Sequence, residues 1–524
     1  MQKALATIWV FGDQLNRKIG ALATAKPETH RILIVESAGK IASRPWHIQR
    51  AHFLITSMRR FAIELQQTGF EVDYRRATTM RAGVEAHIAE FAPTHIYVSE
   101  PNSYTARQLV VALGVQVVKS NQFLCHPDEF ATFVAGKKSL KLEDFYRWQR
   151  KRFGYLMDPK NGDEPVGGKF NFDDENREPP PKTGHDRWPT PKVHTLDEID
   201  QQVLADLPKN LWGKRPDGLW ATTRKDALAR LKYFVDKILP TFGEHEDAML
   251  ESNWHLAHSL LSPYLNNGLL LPKEVLDAAA DAFTKGKVPI NSAEGFIRQI
   301  LGWREYIFNC YWRWMPEYAQ LNKLNAHRPL APLFTDPKKT KMKCVATVLN
   351  GINDRAYSHH IERLMVLGNF ALISGTDPQQ FTNWMWNSYI DAHEWVMVPN
   401  VLGMSLYADG GQLATSAVTP LAVSAVSSRS ATPMPRAQAR PPRQPWLTPW
   451  LMTKAMFGPG DNSNNSTAPQ KIARVARSIM LKPSIGKTWS VNRTPWANNK
   501  LCWIHCAAAL AKGYAQRRCD AKHY

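Results

Sequence analysis

The run Tyr357-Ser358-His359-His360-Ile361-Glu362-Arg363-Leu364-Met365, with Asp391 downstream, gathers groups that move protons and pair charges. On a helix, His359, His360 and Arg363 fall on neighbouring turns, so one surface can present an imidazole outward while the guanidinium turns inward toward a carboxylate. Imidazole changes charge nearest to neutral pH, which suits it to general acid–base work. The layout serves a cofactor on one side and a substrate on the other. An ordinary helix with two surface histidines reads the same way.

Two further segments carry chemistry. Ser259-Leu260-Leu261-Ser262-Pro263-Tyr264-Leu265-Asn266-Asn267-Gly268 offers two hydroxyls beside a helix break, which suits a diphosphate held by hydroxyls and free backbone amides, or simply a turn. Arg298-Gln299-Ile300-Leu301-Gly302-Trp303-Arg304-Glu305-Tyr306 sets an indole among charged groups, and Gly302 lets another group approach the backbone closely. That tryptophan can stack on a base or fill a core. A metal hydrolase drawing on His255, His258, His359, His360 and Glu362 is a third reading, but these residues lack any compact zinc spacing.

The elements around these groups change character along the chain. Residues 5–11, 31–36, 70–74, 95–98 and 115–118 are short β-rich runs, and residues 50–67 place Phe53, Leu54, Met58, Phe61, Ala62 and Leu65 at helical spacing. Strand and helix in alternation predict an α/β N-terminal domain with a doubly wound parallel sheet over 1–130, with pocket loops at Phe11-Gly12-Asp13-Gln14 and Glu36-Ser37. No Gly-x-Gly-x-x-Gly phosphate loop is present. Residues 131–215 are polar and rich in Pro, Gly and Lys, and read as an interdomain connection that wraps rather than packs. Within it, the aromatic and basic run over 145–153 reads either as a track for a polyanion or as a solvated helix face.

From 216 to 415 the period becomes 3.6, predicting a mainly α-helical domain. Thr222 caps a helix whose stripe is Leu228, Leu231, Val235 and Ile238. Asn291 with Glu294 forms a capping box ahead of Phe296, Ile300, Trp303, Ile307 and Tyr311.

The 524 residues, 44% hydrophobic, suffice for two or three domains. Of the formal net charge of +19, fourteen units fall after Thr415, where sixteen Lys and Arg face only Asp461 and Asp520. The rest is mildly basic, so a DNA partner must be argued from local patches. Six scattered cysteines form no disulfide framework, the N-terminus shows no cleavable signal pattern, and no apolar run reaches membrane-spanning length. A cytoplasmic protein with no membrane partner, active as a monomer, is expected.

From about residue 5 to 415 these motifs, in their order, resemble the photolyase and cryptochrome superfamily, most closely its prokaryotic iron–sulfur branch of deoxyribodipyrimidine photolyase-related proteins. Ser259 and Ser262 with Pro263-Tyr264-Leu265 are similar to its flavin-phosphate loop. Trp303-Arg304-Glu305-Tyr306 is similar to the helix whose tryptophan flanks a flipped lesion. Arg363 and Asp391 match a charge pair placed against an isoalloxazine ring. His360 falls where 6-4 photolyases carry the histidine that protonates the photoproduct, while Leu364 departs from the second histidine of the eukaryotic enzymes.

The resemblance implies light-driven, FAD-dependent repair of 6-4 lesions in UV-damaged DNA, or a cryptochrome-like photoreceptor that keeps the flavin without repair. It implies Ser259, Leu261, Ser262, Arg298, Arg363, Asp391, Glu394 and Asn400 as cofactor-binding residues, and His360, His359 and Trp303 as catalytic. Trp384 and Trp386 are implied in an electron relay. Glu36 and Ser37 are implied toward an antenna chromophore, 6,7-dimethyl-8-ribityllumazine in this branch.

Relatives also hold a 4Fe-4S cluster with one upstream cysteine, matched here by Cys344, and three downstream. Those three are missing at the expected place. Cys502, Cys506 and Cys519 come late, in a Ser-, Ala-, Pro- and Arg-rich stretch over 416–524 without a single Glu. That tail reads as a translated frameshift or a disordered basic arm, and an impaired enzyme with no assembled cluster is one expected consequence.

Overall fold

The computed structural model describes residues 5–413 except 177, 182, 185 and 186. The tail from Ser416, with its three cysteines, lies outside the described residues. The chain divides into two compact units, the first comprising Met1–Tyr318, Gly351–His360 and Trp384–Pro399. The second comprises Ala319–Asn350, Ile361–Asn383 and the described residues from Asn400 onward.

In the first unit the five β-rich runs become parallel strands: β1 (Ala6–Val10), β2 (His30–Ser37), β3 (Val72–Ala77), β4 (Ile96–Ser99) and β5 (Gln116–Val118). Their order is β3-β2-β1-β4-β5, with Ile8 in register with Ile32 on one side and Tyr97 on the other. Side chains alternate between the faces of a strand. Ile8, Val10, Ile32 and Ile34 therefore join the large core that includes α1 (Ile48–Gln67), while Trp9, Phe11, Leu33, Val35 and Val98 build a smaller core on the other face. The smaller core is covered by α2 (Met80–Phe91) and α3 (Tyr104–Ala112) through Val84 and Val110. Burial on both faces explains the apolar centres of β1, β2 and β4, while the edge strands β3 and β5 are more polar and more exposed. The strand order reverses direction between β1 and β4, and such a reversal opens a crevice at the carboxyl ends of the strands.

The 131–215 stretch packs more than its composition suggests. Helix α4 (Leu142–Phe153) buries Phe145, Tyr146, Gln149 and Arg150, and Phe133 meets Phe145 and Trp148 at ring separations of 5.5 and 4.9 Å. Arg150 donates to the carbonyls of Tyr155 and Phe170, so a basic residue of the run serves the fold, while Arg147 and Lys151 stay exposed. The backbone approach expected at Gly302 is made by Tyr146, whose ring lies 3.2 Å from where a Cβ would stand.

The helical half follows, with α5 (Arg224–Tyr233), α6 (Ile290–Ile297), α7 (Glu305–Trp314) and α8 (Glu394–Pro399) in the first unit. The cap of α5 is Thr223 rather than Thr222: its hydroxyl accepts from the Asp226 amide and donates to the Asp226 carboxylate. The buried stripe rotates accordingly to Ala227, Arg230 and Leu231, leaving Leu228 at the surface. The capping box at Asn291 does not form. Glu294 is buried, accepts from the Phe172 amide and lies 3.3 Å from Arg298, and that use of its carboxylate outcompetes a cap.

Several stretches widen into i→i+5 turns: Arg298–Arg304 in the first unit, Glu362–Gly368 and Asn400–Ser405 in the second. Such turns are rare and gather at functional sites. Arg298, Trp303, Arg363 and Asn400 all sit on them. Within the second unit the latter two stretches pack together, with Gly368 giving way to Ser405.

Candidate active site

The Ser259–Ser262 loop and the Asp391 turn meet. Ser262, on the short helix Ser262–Asn266, donates its hydroxyl to Asp391 Oδ2 at 2.7 Å, and Asn266 Nδ2 donates to the Asp391 carbonyl at 2.8 Å. Leu260 ahead of this helix is left-handed at φ 55°, and Ser259 Oγ accepts from the Leu261 amide at 3.4 Å. The loop is pinned to the segment that follows β1 by Gly268, at φ 87°, where a Cβ would stand 2.9 Å from the Leu15 amide. Leu15 in turn donates to the Asn267 carbonyl.

Arg50, from α1, borders this turn, and sequence reasoning missed it. Buried, it donates to the Ala392 carbonyl, lies 4.5 Å over Trp46, and leaves its Nε without a hydrogen-bond partner. Burial pulls this guanidinium down to about 9, against the opposing pull of Asp391. The signal was an arginine inside the apolar face of an amphipathic helix.

His393, next in the turn, is held neutral: burial and the Arg50 charge lower it to about 3, with Asp391 opposing. Its Nδ1 lies 3.9 Å from Asp13 Oδ2, and burial raises the Asp13 carboxyl. Glu394 is likewise raised by burial, and its Oε2 has no hydrogen-bond partner.

Trp303 is half-buried. Beside it, Arg304 pairs with Glu305 at 2.9 Å and stands 4.0 Å over Phe123 and 5.3 Å over Trp395, its Nε unpartnered. Glu305 accepts from the Leu124 and Cys125 amides at 2.7 and 2.9 Å. Arg298 faces three carboxylates, Asp173 at 2.9 Å, Glu294 at 3.3 Å and Glu246 at 3.7 Å. Burial lifts Glu246 to about 8 despite the arginine, so this cluster keeps a proton at neutral pH.

The histidine segment differs from an unbroken helix. His359 precedes it and His360, exposed, is its first residue, so only His360 and Arg363 share helical turns. His360 closes a segment of the first unit, while Arg363 and Asn400 belong to the second. Ser358 Oγ lies 3.0 Å from Tyr389 Oη, and the Ile390 amide donates to the Ala356 carbonyl, tying this segment to the Asp391 turn.

Trp384 is buried edge-on to Tyr389 at 6.4 Å. Trp386 is half-buried, edge-on to Trp46 at 6.3 Å, with Arg44 at 4.3 Å and Lys40 at 5.9 Å from its ring. Glu36 is bound by Arg59 through both oxygens and accepts from Tyr74 at 2.6 Å. Ser37 caps the helix Ala38–Ala42 and donates to the Thr78 carbonyl. Cys344 stands near the start of the helix Lys343–Arg355. Among the described residues no group of three or more His, Cys, Asp and Glu is arranged to hold a metal, and no helix is long and apolar enough to cross a membrane.

A family model for deoxyribodipyrimidine photo-lyase-related proteins matches residues 8–214. A (6-4) photolyase of Agrobacterium fabrum (strain C58) is 40% identical over 425 residues, 78% of this chain and 82% of that protein. Among solved structures, a bacterial class III photolyase from Agrobacterium tumefaciens covers 98% of this chain and 99% of its own at a TM-score of 0.54 and 16% identity. A cryptochrome from Synechocystis sp. PCC6803 covers 78% and 83%, at 0.53 and 15%. At those identities the two structures bear on the fold, which agrees with the α/β plus helical architecture expected.

Proposed function

The chain belongs to the photolyase-related family, and on that footing we propose that it is a light-driven, FAD-dependent lyase that repairs 6-4 photoproducts in UV-damaged DNA. The observation that carries this reading is the 2.7 Å contact of Ser262 with Asp391, which joins the two motifs assigned to the flavin within one unit.

The residues present suit FAD. The Ser259 hydroxyl, which accepts from the Leu261 amide and keeps its own proton to donate, suits a phosphate oxygen, and the unpartnered Arg50 Nε, Arg304 Nε and Glu394 Oε2 are buried donors and an acceptor of the kind a ring system would satisfy. When bound, FAD would supply the light absorption and the transferable electron.

The chain's own residues divide the remaining work. Ser259 would donate to a phosphate oxygen, with Leu261 and Ser262 shaping the loop around it, and Arg298 would act from its own helix, where it meets Asp173, Glu294 and Glu246. Asp391 and Glu394, within the first unit, would orient the ring, and Arg363 and Asn400 are assigned to the cofactor by the resemblance alone. The damaged nucleotides must leave the stack, and Trp303 would give them an aromatic surface. His360, exposed at a helix start, would lend and recover the proton, with His359 beside it. Trp384 and Trp386 would relay electrons, and Glu36 and Ser37 would border an antenna chromophore such as a ribityllumazine, acting through the contacts they already make. A 4Fe-4S cluster needs four thiolates, and Cys344 supplies one. No step is assigned to it.

The experiment is illumination of purified protein with duplexes carrying one 6-4 lesion or one cyclobutane dimer. Wild type is expected to restore only the first, and His360→Asn neither. Equal repair by His360→Asn would defeat the proton assignment.

A further inference from the structure

The rings of His258 and His359, 101 positions apart, lie parallel, 3.6 Å between centroids and 4° between planes. His258 is buried, and its ring meets the backbone of Ala248 and Trp254 only through weak polar contacts. Burying an imidazole carries a desolvation cost that an aliphatic side chain of the same volume would not meet. The backbone on both sides is held at equal expense. Leu256 and Leu260, two residues either side of His258, are left-handed at φ 32° and 55°, and Ala356, just ahead of the facing segment, at φ 53°. Non-glycine residues keep such angles only where their surroundings over-determine them.

The facing segment is anchored at its near end, where Ala356 accepts from Ile390 and Ser358 meets Tyr389. At its far end stands exposed His360, and the residue before it is the one His258 stacks against. His258 therefore grips the segment one peptide from the imidazole that must be placed.

We propose that His258 is a positioning residue: by stacking on His359 it fixes the backbone from which His360 reaches the lesion, and this rests on the reading of His360 as the proton donor. The contribution is that of a flat ring. Burial holds the His258 imidazole at about 3, so it carries no proton to give near neutral pH. The same stack links the phosphate-loop side, at Ser259, to the lesion side.

The test uses the full chain and a duplex with one 6-4 lesion. His258→Ala is expected to lower repair per absorbed photon about tenfold, through misplacement of a reacting group, while lesion affinity and bound flavin stay near wild type. His258→Phe keeps a flat ring and should restore the yield. A wild-type yield in His258→Ala, or a His258→Phe as poor as His258→Ala, overturns the proposal. Should His258→Ala fail to fold, His359→Ala removes the same stack from the other side, and a wild-type yield there overturns it equally. NMR of histidine-labelled protein reads the placement without repair: the His360 ring resonance should move on loss of the stack and return in His258→Phe. A wild-type chain that repairs nothing in light defeats the functional reading, whereas a His360 resonance indifferent to His258→Ala or His359→Ala defeats this one.

Discussion

Ser262 donates its hydroxyl to Asp391 Oδ2 at 2.7 Å across 129 positions of sequence. A hydrogen bond to a charged acceptor contributes about 1.5–3 kcal/mol, and its loss here would remove one of the contacts that hold the carboxylate proposed to orient the ring. Ser262→Ala should therefore weaken FAD binding about tenfold, one power of ten for each 1.4 kcal/mol. Equilibrium dialysis against FAD measures it, and unchanged affinity would separate the contact from the cofactor.

Arg50 faces Asp391 from α1 and is wholly enclosed. Losing its charge-assisted hydrogen bond to the Ala392 carbonyl costs about 1.5–3 kcal/mol. Arg50→Met should lower stability by that order in urea unfolding. An unchanged urea midpoint would contradict that role.

Three histidines set an acid limit. Burial lowers His47 to about 4 and His258 and His393 to about 3 in the folded state, against 6.5 for the free side chain. The unfolded chain then binds more protons between those values, so stability is full above about 6.5 and is lost as pH falls below it, by up to roughly 1.4 kcal/mol per pH unit for each group. Glu246 runs the other way: raised to about 8, it contributes stability at low pH that is lost as pH rises through 4.5 to 8. Urea midpoints should fall between pH 6.5 and 5, with a shallower slope in His258→Phe, and Glu246→Gln should gain stability at pH 8. A midpoint flat across the acid range would contradict the neutral-histidine assignment.

Iron provides a separate check. With Cys344 as the single matching ligand and Cys502, Cys506 and Cys519 out of place, no cluster should assemble. Metal analysis of anaerobically purified protein is expected to find no stoichiometric iron, and four irons per chain would overturn that reading.

The strands were legible because both faces of the sheet are apolar, so β1 and β2 announced themselves as runs of Ile, Leu and Val. The stripe of α1 was legible for a related reason: Phe53, Met58, Phe61, Ala62 and Leu65 are buried as spaced. Arg50 was hidden because its partners lie some 340 positions away and nothing local marks a buried cation. Glu294 was misread as a cap because a capping box and a buried ion pair use the same residue types, and only the position of Arg298 one turn on decides between them. The packing of α4 was masked by polar neighbours that outnumber its aromatic contacts. In the site, Ser262, Asp391 and His360 could be named from motif order, but the His258 stack could not, since ring stacking over 101 residues leaves no spacing to read.

The most direct measurement is repair of a 6-4 duplex by the purified chain, its flavin reduced, in blue light and in darkness. Restored bases in light alone, together with one bound flavin per chain, are the predicted result. A flavin-loaded chain that leaves the lesion intact in light, or a colourless one that does not take up added FAD, would contradict it.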